Sequence, residues 1–210
     1  YKTTVMKFNG TAWVAVGAAG FSAYMGMDPS LAFAPDGTPY LAYSDGGYAI
    51  MKATVMKFDG TTWTSVGSAG FSAKAATYTS LAFAPDGTPY LAYRDFGNGN
   101  RATVMKFNGS SWVTVGSAGF SADQADLISQ AISPDGTRLV YSAKAKDGKS
   151  QLWVRRLNTA TAQPLPGTEG AATPFWSPDN RWVGFGQGNK IKKIDIQGGP
   201  PVAIADITGF

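Results

Sequence analysis

The chain contains no histidine and no cysteine. Without histidine, Ser-His-Asp and Cys-His catalytic arrangements cannot be assembled, and the commonest transition-metal ligand is missing. Without cysteine there is no disulfide framework or thiolate metal site, and the redox compartment stays open. No apolar run approaches the roughly 18 residues that a spanning helix needs, so no membrane partner is expected. Charge is also scarce: 15% of residues are charged against 44% hydrophobic, far from the composition of disordered chains. The net charge of +4 is spread along the chain, and Lys7, Lys57 and Lys106 recur at near-equal intervals. That pattern reads as a solvated strand face rather than a nucleic-acid surface. The densest basic run, Lys190 to Lys193 in "KIKKID", alternates with Ile. It reads as an exposed strand edge and lacks an aromatic platform for bases. The 26 glycines and 12 prolines follow no three-residue period, which removes a collagen-like reading. A start at Tyr1, with neither Met nor a leader, is compatible with a mature form or a fragment.

What the chain does have is repetition. "TVMKF" begins at 4, 54 and 103, "GFSA" at 20, 70 and 119, and "SLAFAPDGTPYLAY" stands unchanged at 30–43 and 80–93. The turn aspartates Asp36, Asp86, Asp135 and Asp179 mark intervals of 50, 49 and 44 residues. Each period holds four short runs rich in Val, Phe, Tyr, Trp and Thr, which are strand residues at strand lengths. Between them lie "PDG", "NG" and "DG", dipeptides that favour tight hairpins because Asn, Asp and Gly tolerate positive φ. "FNGTAW", "FDGTTW" and "FNGSSW" therefore read as hairpin tips, with Phe ending one strand and Trp beginning the next. A helical period is found only weakly, in "ADQADLISQA" at 122–131.

Four antiparallel strands every 44 to 50 residues match the blade of a β-propeller, whose period is about 40 to 50. Runs such as "SLAFA" and "YLAY", with Leu, Phe and Tyr set against Ala, suit strands packed on both faces. A sandwich has no reason for fourfold repetition, and a solenoid uses shorter coils. The expectation is an all-β, single-domain propeller over 1–210. A two-stranded half blade at 1–17 is followed by four-stranded sets beginning near Ser30, Ser80, Ser129 and Thr173. That makes about five blades, four complete and one half, and the two ends are expected to meet and close a ring. An unpaired blade edge predicts self-association or a protein partner.

Two repeat dialects divide the domain, 1–122 and 123–210. "ISPDGTRLVYSAKAKDGKSQLWVRRLNTATAQPLPG" and "FWSPDNRWVGFGQGNKIKKIDIQGGPP" resemble TolB-like bacterial propeller repeats, which occur in periplasmic proteins, after bacterial Ser/Thr kinase domains and in propellers that cap peptidases, and mostly mediate contacts. Residues 1–122 resemble the near-identical blades of secreted bacterial propellers. The resemblance implies a periplasmic or secreted location for a natural chain. Two dialects joined near 122–129 point to a recombined or engineered chimera.

Motifs that could carry chemistry fall short. "GFSAY", "GFSAK" and "GFSAD" lack the final glycine of a nucleophile elbow and read as interblade loops. "GFGQGN" at 184–189 has no helix behind it to present a phosphate, and reads as a hairpin turn. "FDGTTW" lacks the Asp-x-Gly spacing of the sialidase Asp-box. Turn aspartates show no calcium-loop spacing, and no catalytic residue, cofactor or metal is expected. The leading reading is a non-catalytic scaffold or interaction module. A second reading is a carbohydrate-binding propeller with sites at Tyr43, Asp45, Tyr93, Arg94 and Asp95, where rings and carboxylates would take a glycan. A third, the weakest, uses Asp45 and Asp95 as a glycosidase pair.

Overall fold

A computed structural model describes residues 2–46, 51–121, 124–125, 128–144, 149–159 and 161–207. The first hairpin, β1 (Met6–Phe8) and β2 (Trp13–Ala15), forms a two-stranded sheet of its own. Four four-stranded antiparallel sheets follow in chain order. Blade 1 is β3 (Gly26–Phe33), β4 (Pro39–Asp45), β5 (Lys52–Phe58) and β6 (Trp63–Ser65). Blade 2 is β7 (Ala76–Phe83), β8 (Pro89–Asp95), β9 (Arg101–Phe107) and β10 (Trp112–Thr114). Blade 3 is β11 (Gln130–Ile132), β12 (Arg138–Lys144), β13 (Ser150–Arg156) and β14 (Ala162–Pro164). Blade 4 is β15 (Ala172–Trp176), β16 (Trp182–Gln187), β17 (Lys190–Asp195) and β18 (Val202–Asp206). Among the described residues the sole helical element is a 3-10 turn at Phe96–Asn98.

Turn chemistry sets the strand ends. Asn9 Oδ1 accepts the Thr11 and Ala12 N–H at 3.0 and 2.9 Å, which places Phe8 opposite Trp13. Asp59 and Asn108 do the same for the next two copies, pairing Phe58 with Trp63 and Phe107 with Trp112. In the "PDG" turns Asp36, Asp86 and Asp135 accept the N–H of Thr38, Thr88 and Thr137. In "PDN", Asn180 takes the positive-φ position of the glycine at φ 60, a role open to Asn because its short polar side chain tolerates that region. "GFGQGN" closes as a hairpin, with Gln187 opposite Lys190.

The core lies between blades rather than beneath one sheet. Leu41, Tyr43 and Trp63 pack against Val5, Val16 and Phe21 of the half blade. Ala42, Val55, Leu81, Leu91 and Tyr93 join blades 1 and 2. Tyr90, Val104, Leu139 and Tyr141 join blades 2 and 3, and Val140, Leu152, Val183 and Phe185 join blades 3 and 4. The second strands β4, β8, β12 and β16 therefore bury both faces, which is why Leu and Tyr alternate with Ala in "YLAY" instead of with charge.

Two expectations change. The first strands of blades 1 and 2 begin at Gly26 and Ala76, four residues before Ser30 and Ser80, because a bulge carries the ladder past Asp28 and Tyr78, both at positive φ. "KIKKID" is no exposed edge: β17 is paired on both sides, by β16 and β18. In the 122–131 segment, 122, 123, 126 and 127 lie outside the described residues, and its end enters strand β11.

Candidate functional site

Tyr43 and Tyr93 stand at equivalent places in β4 and β8, only 1% and 3% exposed. Their hydroxyls donate to the sulfurs of Met56 and Met105. Burial pushes both phenols up, with Asp45 and Asp95 adding to the shift. Rings held in this way form interblade packing and offer no open face to a sugar. Asp95 is buried as well: its carboxylate accepts from Gly97 N at 2.9 Å, Asn98 Nδ2 at 2.8 Å and Thr103 Oγ1 at 2.8 Å. It caps the 3-10 turn and ties it to β9. Asp45 is half-buried and accepts from Tyr24 N at 3.3 Å. Desolvation raises its pKa, opposed by the hydrogen bonds from Tyr24 and Thr54. Arg94 lies over the rings of Tyr78 and Phe96 at 6.0 and 5.4 Å and donates to Gln124. Each of the five positions is engaged in contacts within and between blades.

A second recurrent arrangement escaped the sequence reading. Trp63 Nε1 donates across the blade interface to the carbonyl of Val16 at 2.7 Å, while Phe21 stacks on its ring at 4.8 Å. One repeat later Trp112 Nε1 donates to Val66 O at 2.8 Å and Phe71 stacks at 4.6 Å. At the join of the two dialects a different residue makes the contact. Arg155 Nη2 donates to Val115 O at 2.9 Å, and its guanidinium lies 5.0 Å from the centre of the Phe120 ring. Arg155 is opposite Leu139, as Met105 is opposite Leu91. A Cβ on Gly116 would come within 2.0 Å of Arg155 Nη2, so the close approach requires glycine there. The repeated "GFSA" completes each socket. The Ser22, Ser72 and Ser121 hydroxyls accept the N–H of Thr3, Ala53 and Ala102, and in blade 3 Thr168 accepts that of Leu152.

The two ends of the stack are bare. Trp13 is 65% exposed, whereas its copies Trp63 and Trp112 are 8% and 7%. Met6 and Phe8 beside it are exposed, as are Phe175, Val202 and Ile204 of blade 4. The expected ring closure is therefore not made by these side chains, because the flanks that would touch stand open to solvent. An open groove of about 590 Å³ near Arg138, Arg156, Gln163 and Gln197 holds two guanidiniums and no carboxylate in its lining.

No known family's sequence model matches the chain, and no curated protein matches it. Solved structures do. One is described as a putative TolB from Agrobacterium tumefaciens, with a TM-score of 0.65 at 18% identity, covering 93% of this chain and 66% of that one. Another is TolB from Acinetobacter baumannii, with a TM-score of 0.60 at 14% identity, covering 93% of this chain and 46% of that one. The chain thus spans less than two thirds of either structure. At these identities the likeness establishes the fold: the blades are those of a β-propeller.

Proposed function

We propose that this protein is a non-catalytic β-propeller that works as an interaction module, binding protein through its bare blade flanks. The observation that carries the reading is the contrast between Trp13, 65% exposed, and its buried copies Trp63 and Trp112. A side chain that the repeat uses as an interface anchor is presented to solvent at the end of the stack. Trp is the residue type most enriched where binding energy concentrates, and clustered exposed apolar side chains mark contact sites. The turn carboxylates are engaged by their own turns, and the sequence has no histidine, which supports a binding role over hydrolysis. Arg155 at the join supports reading 1–122 and 123–210 as two blade types recombined into one domain.

Light-scattering mass over a concentration series tests the reading. One chain weighs 22.0 kDa. The expected result is a mass that rises above this value with concentration and returns to it in Trp13→Lys and Phe175→Asp. A wild-type chain that stays monomeric throughout and binds no peptide of its own blade type would sink the idea.

A further inference from the structure

The groove of about 590 Å³ runs between blades 3 and 4, both of them four-stranded, and neither end of the stack contributes to it. Its blade 3 side is built by β12, β13, β14 and the loop before β14, and its blade 4 side by the turn at 196–198 that follows β17. Val154, Leu165, Pro166 and Ile196 give it an apolar surface, and Thr161, Gln163 and Gln197 add hydroxyl and amide groups. A concavity of this volume, with apolar walls and a few polar groups, has the dimensions of a small-molecule site.

Charge decides what fits. Arg138 and Arg156 face each other as partners in the ladder of β12 and β13. Like charges directly opposite cost stability, so a counter-ion between them is favoured. Among the described residues the Arg156 guanidinium makes no ion pair and no hydrogen bond. Arg138 reaches Asp135 only at 3.9 Å, and that carboxylate is already bonded by Ser133 and Thr137 of its own turn. Asp195, next to Ile196, is taken by Arg181 at 2.8 Å and by the Gln197 N–H. Blades 1 and 2 show the alternative. Their groove, of about 530 Å³, also carries two cations, Lys57 and Lys106, but Asp86 stands in its lining. Hydrogen bonds of the turn hold that carboxylate below its ordinary pKa, and Lys106 adds to them. One groove brings its own counter-charge; the other does not.

We propose that the groove between blades 3 and 4 is a binding site for a small organic phosphate monoester, an apolar body carrying a dianion. Two guanidiniums match two negative charges, and each presents a fork of donors to phosphate oxygens. Thr161, Gln163 and Gln197 supply further donors, and the apolar surface covers the body. A carboxylate ligand neutralises only one of the two arginines.

Phenyl phosphate is the probe. Calorimetric titration into the whole chain at low ionic strength, where charge is least screened, is expected to show one site. Nuclear magnetic resonance should show amide shifts at Thr161, Gln163 and Gly198. Arg156→Gln and Arg138→Gln are each expected to weaken binding at least about tenfold. Gln163→Glu, which puts a carboxylate into the groove, should do the same. Arg156 and Gln163 are exposed, so these two variants should keep the wild-type circular dichroism. Lys106→Gln, in the other groove, and Trp13→Lys, on the flank, should leave the affinity unchanged. Benzoate, with one charge, and inorganic phosphate, without an apolar body, should each bind more weakly by about tenfold. Equal affinity for either one overturns the ligand class. Phenyl phosphate binding that survives both Arg156→Gln and Gln163→Glu, or that is absent at about 10 mM, overturns the site.

Discussion

Identical residues in different copies carry different energies, because burial differs. Trp63 loses its ring contacts and its bond to Val16 O when truncated, so Trp63→Ala is expected to cost about 3–5 kcal/mol of unfolding free energy. Trp13→Ala, at an exposed copy, should stay within about 0.5 kcal/mol. Urea unfolding of the two variants side by side checks the contrast. Among the described residues Arg155 is the largest fully buried side chain, and its Nη1 has no hydrogen-bond partner. Burial lowers its pKa, and the adjoining Tyr141 opposes that shift. Removing it orphans the carbonyl of Val115 and opens a cavity, so Arg155→Ala is expected to cost about 2–4 kcal/mol by the same measurement. The role of Arg155 is not legible in the sequence, because its partner Val115 lies 40 residues away in the preceding blade's region.

Hairpins and turns were legible in advance, and their stability has a pH dependence. In Asp36, Asp86 and Asp59 the largest effect is a turn N–H bonded to the carboxylate, which holds the pKa below the ordinary 3.8. A depressed folded-state pKa means stabilisation that is present above about 3.8 and lost as pH falls through the lower folded value. Desolvation raises Asp45, so its ionised form opposes folding as pH rises, an effect of opposite sign at one site. The unfolding temperature, followed by circular dichroism, should therefore fall as pH drops below about 4. Asp59→Asn is the informative variant, because Asn9 and Asn108 make the same turn bonds at equivalent sites. It should preserve neutral-pH stability within about 0.5 kcal/mol and flatten the acid limb. "KIKKID" reads as an edge in sequence yet lies inside its sheet, because alternation alone does not say on how many sides a strand is paired.

For the whole molecule, the repeat acts as its own reference: three copies of a surface show what happens when a neighbour is present or missing. Bare flanks at both ends of one stack are of the kind that associate head to tail, and heterologous contacts of that type build rings or open chains. Charge placed at either flank should lower the mass in solution and raise solubility. Salt should matter little, since the exposed flank residues Trp13, Phe8, Phe175 and Ile204 are uncharged. Tyr43, Asp45, Tyr93, Arg94 and Asp95 are residue types suited to sugars. Those same types suit blade packing, and burial placed both tyrosines and Asp95 in the interior.

By itself the sequence determined the strands, the turns, the blade period and the half blade, because turn chemistry and two-residue alternation act over neighbours along the chain. Burial was the decision of tertiary structure. Whether Trp13 is an anchor or a surface residue, and whether Arg155 replaces a tryptophan contact, depends on which blade flank arrives opposite it, and flanks meet between residues 40 to 51 apart in the chain.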